Sequence, residues 1–311
     1  MRRVFINAGL AGVALSALGL AAARAHPGSG IVVDDKGQVF FTDTGNPDAS
    51  FSGHIWKIDA QGRLTSAHTT GAHWLALDAA DSFARADLKG WFDRRLTPNF
   101  ERIPRSDAHP TLLQTDGVPF VVHRDGHLYY AHRHTEIVRL SPDGTRTLLV
   151  PDLRATAERL GGIKGLAAGP DGSLYVAYPR SVQKITPAGA VTTLADPVVA
   201  PDCDRDVPAD IPEPYLRGLA VDGRGTVYAA ATGCRCVVKI TPGGKVETVL
   251  KAERPWSPTG VAVHGADVYA LEYTNANGKP AEWRPRVRKL GRDGAVTTLA
   301  TIAREARPPQ P

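Results

Sequence analysis

Short runs in which apolar and polar residues alternate recur along this chain, and glycine-bearing turns separate them. A period of two marks strands rather than helices. Each recurrence predicts four short strands. The first is an aliphatic run behind a leading glycine, as in Leu166–Ala168, Leu219–Val221 and Val261–Val263. A turn with glycine follows at Gly37, Gly126, Gly172 or Gly225, then a tyrosine-bearing strand such as Leu174–Ala177 or Val227–Ala230. The third strand alternates, as in Val182-Gln183-Lys184-Ile185. The turns Ser141-Pro142-Asp143-Gly144, Thr186-Pro187-Ala188-Gly189 and Thr241-Pro242-Gly243-Gly244 close hairpins into the fourth. Proline at the second position and glycine at the fourth suit a type I turn.

The phrase starts afresh at Ser29, Gly117, Lys164, Arg217 and Thr259, and a degenerate copy lies between the first two. In the degenerate copy Trp74–Asp78 and Phe100–Pro104 are expected to keep strands one and three. A four-stranded unit of this size cannot bury both faces alone, so units stack around an axis. The expected fold is all-β, a six-bladed β-propeller over 26–305. Its blades are placed near 29–70, 72–114, 115–151, 162–197, 214–252 and 256–303, with no strand donated from the N-terminus to the last blade.

The repeated phrase, Gly-x-Ala-x-Asp, then Asp-Gly, then Val-Tyr-Val-Ala and a closing turn glycine, resembles NHL-repeat propellers. It is also similar to the wider six-bladed group that holds gluconolactonase, senescence-marker-like proteins and strictosidine synthase. The resemblance covers nearly the whole chain and implies fold far more than activity, since such folds host lactonases, lyases and non-catalytic binders.

Arg2 and Arg3, the uncharged stretch Gly9–Ala23 and the small-x-small site Ala23-Arg24-Ala25 predict a cleavable signal over 1–25. Arg2-Arg3-Val4-Phe5-Ile6 also resembles a twin-arginine signal. Export to the periplasm or medium is therefore expected, with no membrane association after cleavage and a short disordered tail over 306–311. The signal carries three arginines and no acid, so its removal takes the net charge from +5 to +2. That removes any case for nucleic-acid binding. A monomer is expected. In an exported protein three cysteines predict one disulfide and one leftover thiol. Cys203 is expected to pair with Cys234 or Cys236.

In such propellers the residue before the leading glycine and the residues ending strand two face one mouth of the central channel. The first set reads Ser29, His73, Val118, Lys164, Arg217 and Thr259; the second reads Asp43, His132, Tyr178, Ala231 and Glu272. The resemblance to gluconolactonase implies Glu, Asn and Asp around a divalent cation at the first set. Lys164 and Arg217 occupy comparable places here and would repel one. Two readings follow. Lys164, Arg217, Arg180, Tyr178, His73 and Asp43 form a mouth that binds an anionic small molecule or a peptide. Alternatively His73, His132, His134 and Glu272 hold zinc or calcium in a hydrolase or lyase, with His73, His132 and Glu272 as catalytic groups, as the resemblance to amidating lyases implies. A third reading is a protein-interaction scaffold that uses the Trp91-Phe92 loop. No cofactor is required by any motif, and G-x-S-x-G and H-E-x-x-H are both missing.

Overall fold

A computed structural model describes residues 27–45, 53–83, 85–86, 100–151, 153–205, 207, 211–276, 278 and 282–303. The expected signal segment, His26, the Trp91-Phe92 loop and the expected tail lie outside them.

Six antiparallel sheets stand around one axis. The first blade is β1 (Ile31–Val33), β2 (Val39–Asp43), β3 (His54–Ile58) and β4 (Leu64–Thr69), hydrogen-bonded in that order. The third blade is β8 (Phe120–Val122), β9 (Leu128–His132), β10 (Glu136–Leu140) and β11 (Arg146–Leu148). A seven-residue helix, α1 (Leu153–Arg159), then leads into the fourth. The fourth blade is β12 (Gly165–Ala168), β13 (Leu174–Ala177), β14 (Val182–Ile185) and β15 (Val191–Ala195). The fifth is β16 (Leu216–Val221), β17 (Val227–Ala231), β18 (Cys236–Ile240) and β19 (Val246–Lys251). The sixth is β20 (Trp256–His264), β21 (Asp267–Thr274), β22 (Pro285–Leu290) and β23 (Val296–Thr301).

The second blade departs from the expectation. It comprises β5 (Trp74–Leu77), β6 (Glu101–Ile103) and β7 (Leu112–Thr115), in the order β5-β7-β6. The chain reaches the outer position first and returns to pair Trp74 with Thr115. Trp74 and its neighbours do form the inner strand, and Ile103 does lie third from the axis. The second-strand place, which the sequence left unassigned, belongs to Leu112–Thr115. These four residues are all buried, so no alternation advertises them.

The second strand is the most buried in the first and third blades and the outermost the least: every residue of β2 is buried, whereas β11 is exposed throughout. The hairpins between the first two strands rest on local chemistry. Asp34 Oδ1 accepts the Lys36 and Gln38 amides at 3.0 and 2.8 Å, and Asp222 Oδ1 accepts those of Arg224 and Thr226. Gly37 follows with φ of +76°, a left-handed conformation that favours glycine over any residue with a Cβ.

The leading glycines have a different task. They lie where neighbouring inner strands crowd together around the axis. A Cβ on Gly218 would sit 2.8 Å from the Gly260 Cα; one on Gly165 would land on the Arg217 carbonyl. A Cβ on Gly260 would meet the Ser29 carbonyl, which joins the last blade to the first. The same seam carries Thr259 Oγ1 donating to the Gly28 carbonyl at 2.6 Å and Tyr273 Oη donating to the Thr42 carbonyl at 2.6 Å. Ile31, Phe41, Leu271, Tyr273 and Val287 fill one apolar cluster across it. Among the described residues the ring therefore closes by packing of whole blades, without an exchanged strand.

Cys203 pairs with Cys234, which sits in the 3-10 turn Thr232–Cys234 rather than on a strand. Cys236 is on β18, buried, and burial pushes its thiol up to about 11. A thiol reagent should therefore find no reactive cysteine in the folded protein and one after denaturation without reductant. Rapid labelling of the native chain would contradict this pairing.

Candidate functional site

The inner strands enclose a channel of about 250 Å³, walled from Ile31–Val33 in the first blade to Val261–Val263 in the last. All the side chains along that wall are apolar. Polar chemistry is confined to the ends. At the end where the inner strands begin, the residues ahead of them are those singled out from the repeat.

Arg217 is the distinctive one. It belongs to β16, is 5% exposed, and its guanidinium has no hydrogen-bond or carboxylate partner among the described residues. Burial pulls its pKa down to about 10, partly offset by Tyr215 and Tyr273, so it stays cationic at neutral pH. Tyr215 reaches it from a left-handed backbone, φ +51°, an uncommon place for a tyrosine. The segment ahead of Tyr215 is anchored on blade five by the Cys203 disulfide and by the Gly233 amide donating to the Pro214 carbonyl at 2.9 Å. Lys164 stands at the matching position of the adjacent blade, half-buried, and its charge helps to depress the pKa of His134. Burial is the larger cause of that depression, and His134 Nδ1 lies 3.1 Å from the Ile163 carbonyl. The two cations thus have separate surroundings, Lys164 towards His134 and Arg217 towards two tyrosines.

The other predicted mouth residues divide. Asp43 is fully buried and takes the Gly45 amide on Oδ1 at 3.1 Å. His73 is half-buried; its carbonyl accepts the Ser29 and Gly30 amides and its own amide donates to Thr115, stitching the first two blades. Arg180 is exposed, and its carbonyl accepts the Val198 amide. Tyr178 turns into the core, where its hydroxyl donates to Gln183 Oε1 at 3.0 Å and burial raises its pKa.

Glu272 is enclosed within the sixth blade. It is 0% exposed and held by Arg286 Nε at 2.6 Å and by Arg288 Nη2 at 2.6 Å. Arg286 faces it directly across the β21–β22 ladder and stacks over Trp256, 4.1 Å from the ring centre. His132 has Glu136 at 4.0 Å, and burial lowers its pKa. Among the described residues the one group of His, Cys, Asp or Glu within mutual ligand distance is Cys203, Glu213 and Cys234. Two of its members are joined in the disulfide. A carboxylate saturated by two guanidiniums makes a poor metal ligand, and the histidines do not gather around it. His73, His132, His134 and Glu272 therefore do not fit a common metal, and no catalytic step is derived through one.

Sequence reading missed two features. Arg286-Val287-Arg288 puts two arginines on one face of a buried strand, a signal that a buried acid must face them. Glu101 and Gln114 come together only because β7 returns between β5 and β6.

No protein-family model matches the chain, and no curated protein matches its sequence. Solved structures do resemble it. A structural genomics protein of unknown function from Bacteroides thetaiotaomicron aligns with TM-score 0.55 and 14% identity, over 86% of this chain and 70% of that one. A gluconolactonase from Xanthomonas campestris aligns with TM-score 0.51 and 15% identity, over 82% and 84%. A luciferin-regenerating enzyme gives 0.51 and 15%, over 89% and 92%. At such identities the likeness is one of fold: the chain is a six-bladed β-propeller of the kind that gluconolactonase builds.

Proposed function

We propose that this propeller binds a small anionic ligand, bearing a carboxylate or phosphate, at the channel mouth with Arg217 as the anchor. The observation that carries this reading is an arginine that is 5% exposed as a residue and whose guanidinium has no anionic partner among the described residues. Burying a charge is costly unless something pairs with it, and a ligand oxyanion held bidentately would supply the pairing. Lys164 on the adjacent blade adds positive potential. The protein works outside the cytoplasm, a reading supported by the Cys203–Cys234 disulfide and by the expected signal.

Titration calorimetry with a panel of carboxylates and phosphate monoesters tests the anchor. For each binder found, Arg217→Met is expected to weaken affinity at least about tenfold, the loss of one charge-assisted hydrogen bond or more. Unchanged affinity in that variant would remove Arg217 from the site. A hydrolase or lyase is the second reading, and the likeness to gluconolactonase favours it. Turnover of a lactone or ester panel, lost in Arg217→Met, would extend the binding proposal to catalysis.

A further inference from the structure

In its side chains the axial channel is apolar, but its main chain is not. Each inner strand ends its sheet and is paired on one side only. The other edge faces the axis, and the register shows which groups it carries. In the first blade the Asp34 amide donates to the Gln38 carbonyl and the Thr42 amide to the Gly30 carbonyl, so Gly30, Val32 and Asp34 turn their peptide groups towards β2. Alternation turns those of Ile31 and Val33 the opposite way, into the channel. The amides of Asp78, His123, Gly169 and Asp222 set the same phase in the next four blades. The His264–Asp267 pair, which flanks a two-residue hairpin, sets it in the sixth. Ile31, Leu75, Phe120, Leu166, Leu219 and Val261 thus form one tier of N–H and C=O groups, and the residues two further along each strand form a second. None of these peptide groups has a hydrogen-bond partner elsewhere among the described residues. The residues of the first tier are each at most 7% exposed, and buried peptide groups are almost always paired.

We infer that the channel holds a file of hydrogen-bonded water, and that the mouth above it therefore selects compact hydrophilic anions over carboxylates with an alkyl tail. The wall offers donors and acceptors side by side, and water is a small occupant that both donates and accepts. About 250 Å³ is the share of roughly eight waters. An alkyl chain could fill the same space only by leaving two tiers of peptide groups without partners. Each group so stripped costs more than a buried methylene returns. The second tier is half-buried, so water reaches the channel from the hairpin face without passing Arg217. The water file stands without the Arg217 reading; the selectivity rests on it.

Two arms test this. The first is a crystal structure of the protein under xenon pressure, for wild type and Arg217→Met. Ordered water against both tiers and no xenon on the axis is the expected result in each, since neither tier uses the Arg217 side chain. Xenon on the axis, or tiers that no water touches, would overturn the file, because a dry apolar cavity takes up xenon. The second arm is titration calorimetry with phosphate and with acetate, butyrate, hexanoate and octanoate. Affinity is expected to stay within about threefold from acetate to octanoate, whereas a slot that buried the tail would add about fourfold per methylene. Such a steady gain would overturn the selectivity. If neither phosphate nor any alkanoate bound, the Arg217 reading would fall and the selectivity with it, while the crystals would still decide the water file.

Discussion

Glu272→Ala is expected to destabilise the protein by about 3–5 kcal/mol, the usual cost of leaving buried charges without their partner. The carboxylate is 0% exposed and both arginines across from it are nine-tenths buried. Without it Arg286 and Arg288 would face each other in a low-dielectric interior, with Glu253, exposed at the surface, as the remaining acid. For a domain of this size the melting temperature should fall on the order of 10 °C, read by calorimetry or circular dichroism. Replacing all three residues by apolar ones of similar volume should restore much of the loss, because an ion pair in the interior contributes little beyond balancing its own desolvation. A fall within about 1 °C for the single variant would mean that the cluster is hydrated and not buried.

The second large effect concerns the leading glycines. Gly165→Ala and Gly260→Ala should each cost at least roughly 1–3 kcal/mol, because the added methyl meets rigid backbone of the next blade instead of a movable side chain. Neither residue has positive φ, so the penalty is steric overlap between blades. Gly223→Ala is the control. A Cβ there meets nothing within 4 Å, and its effect should stay within about 0.5 kcal/mol. Chemical denaturation of the three variants gives the comparison, and equal stabilities would mean that the inner strands stand further apart than described.

These two cases show what the sequence carried. The leading glycine was legible as a repeated letter, and the structure supplies its reason: at Gly30, Gly165, Gly218 and Gly260 the neighbouring inner strand leaves no room for a Cβ. The hairpin glycines, such as Gly37, were legible with their reason, since turn chemistry is local. Which residues share a mouth was legible as a set of positions, but not the direction in which each side chain runs. Tyr178 follows the last residue of β13 and Glu272 lies two residues inside the end of β21, and one hydrogen-bonds inward to Gln183 and the other to Arg286 and Arg288. Those partners come from third strands, and a period-two reading of a single strand says nothing of what lies across the ladder. The second blade was obscured more deeply. Leu112–Thr115 is buried on both faces, follows a long excursion, and inserts out of sequence order, so neither alternation nor spacing marks it. Glu101 and Gln114 meet as a result of that insertion. The choice between Cys234 and Cys236 turned on a 3-10 turn that displaces Cys234 from the strand rhythm.

Arg217 was legible by position and sharpened by burial. Its guanidinium has no carboxylate partner among the described residues, which distinguishes it from Arg286 and Arg288, whose charges are balanced within the chain. The central claim is that Arg217 is retained for a ligand, and it makes an uncommon prediction about the empty protein. The decisive measurement is the melting temperature of wild type and Arg217→Met in a buffer free of carboxylate and phosphate. Methionine keeps the apolar stem and discards a charge with no anionic partner among the described residues, so on the proposed reading the variant should melt at the same temperature or several degrees higher. A fall of several degrees would show that Arg217 holds the blades together, and would contradict its assignment as the anchor of a ligand.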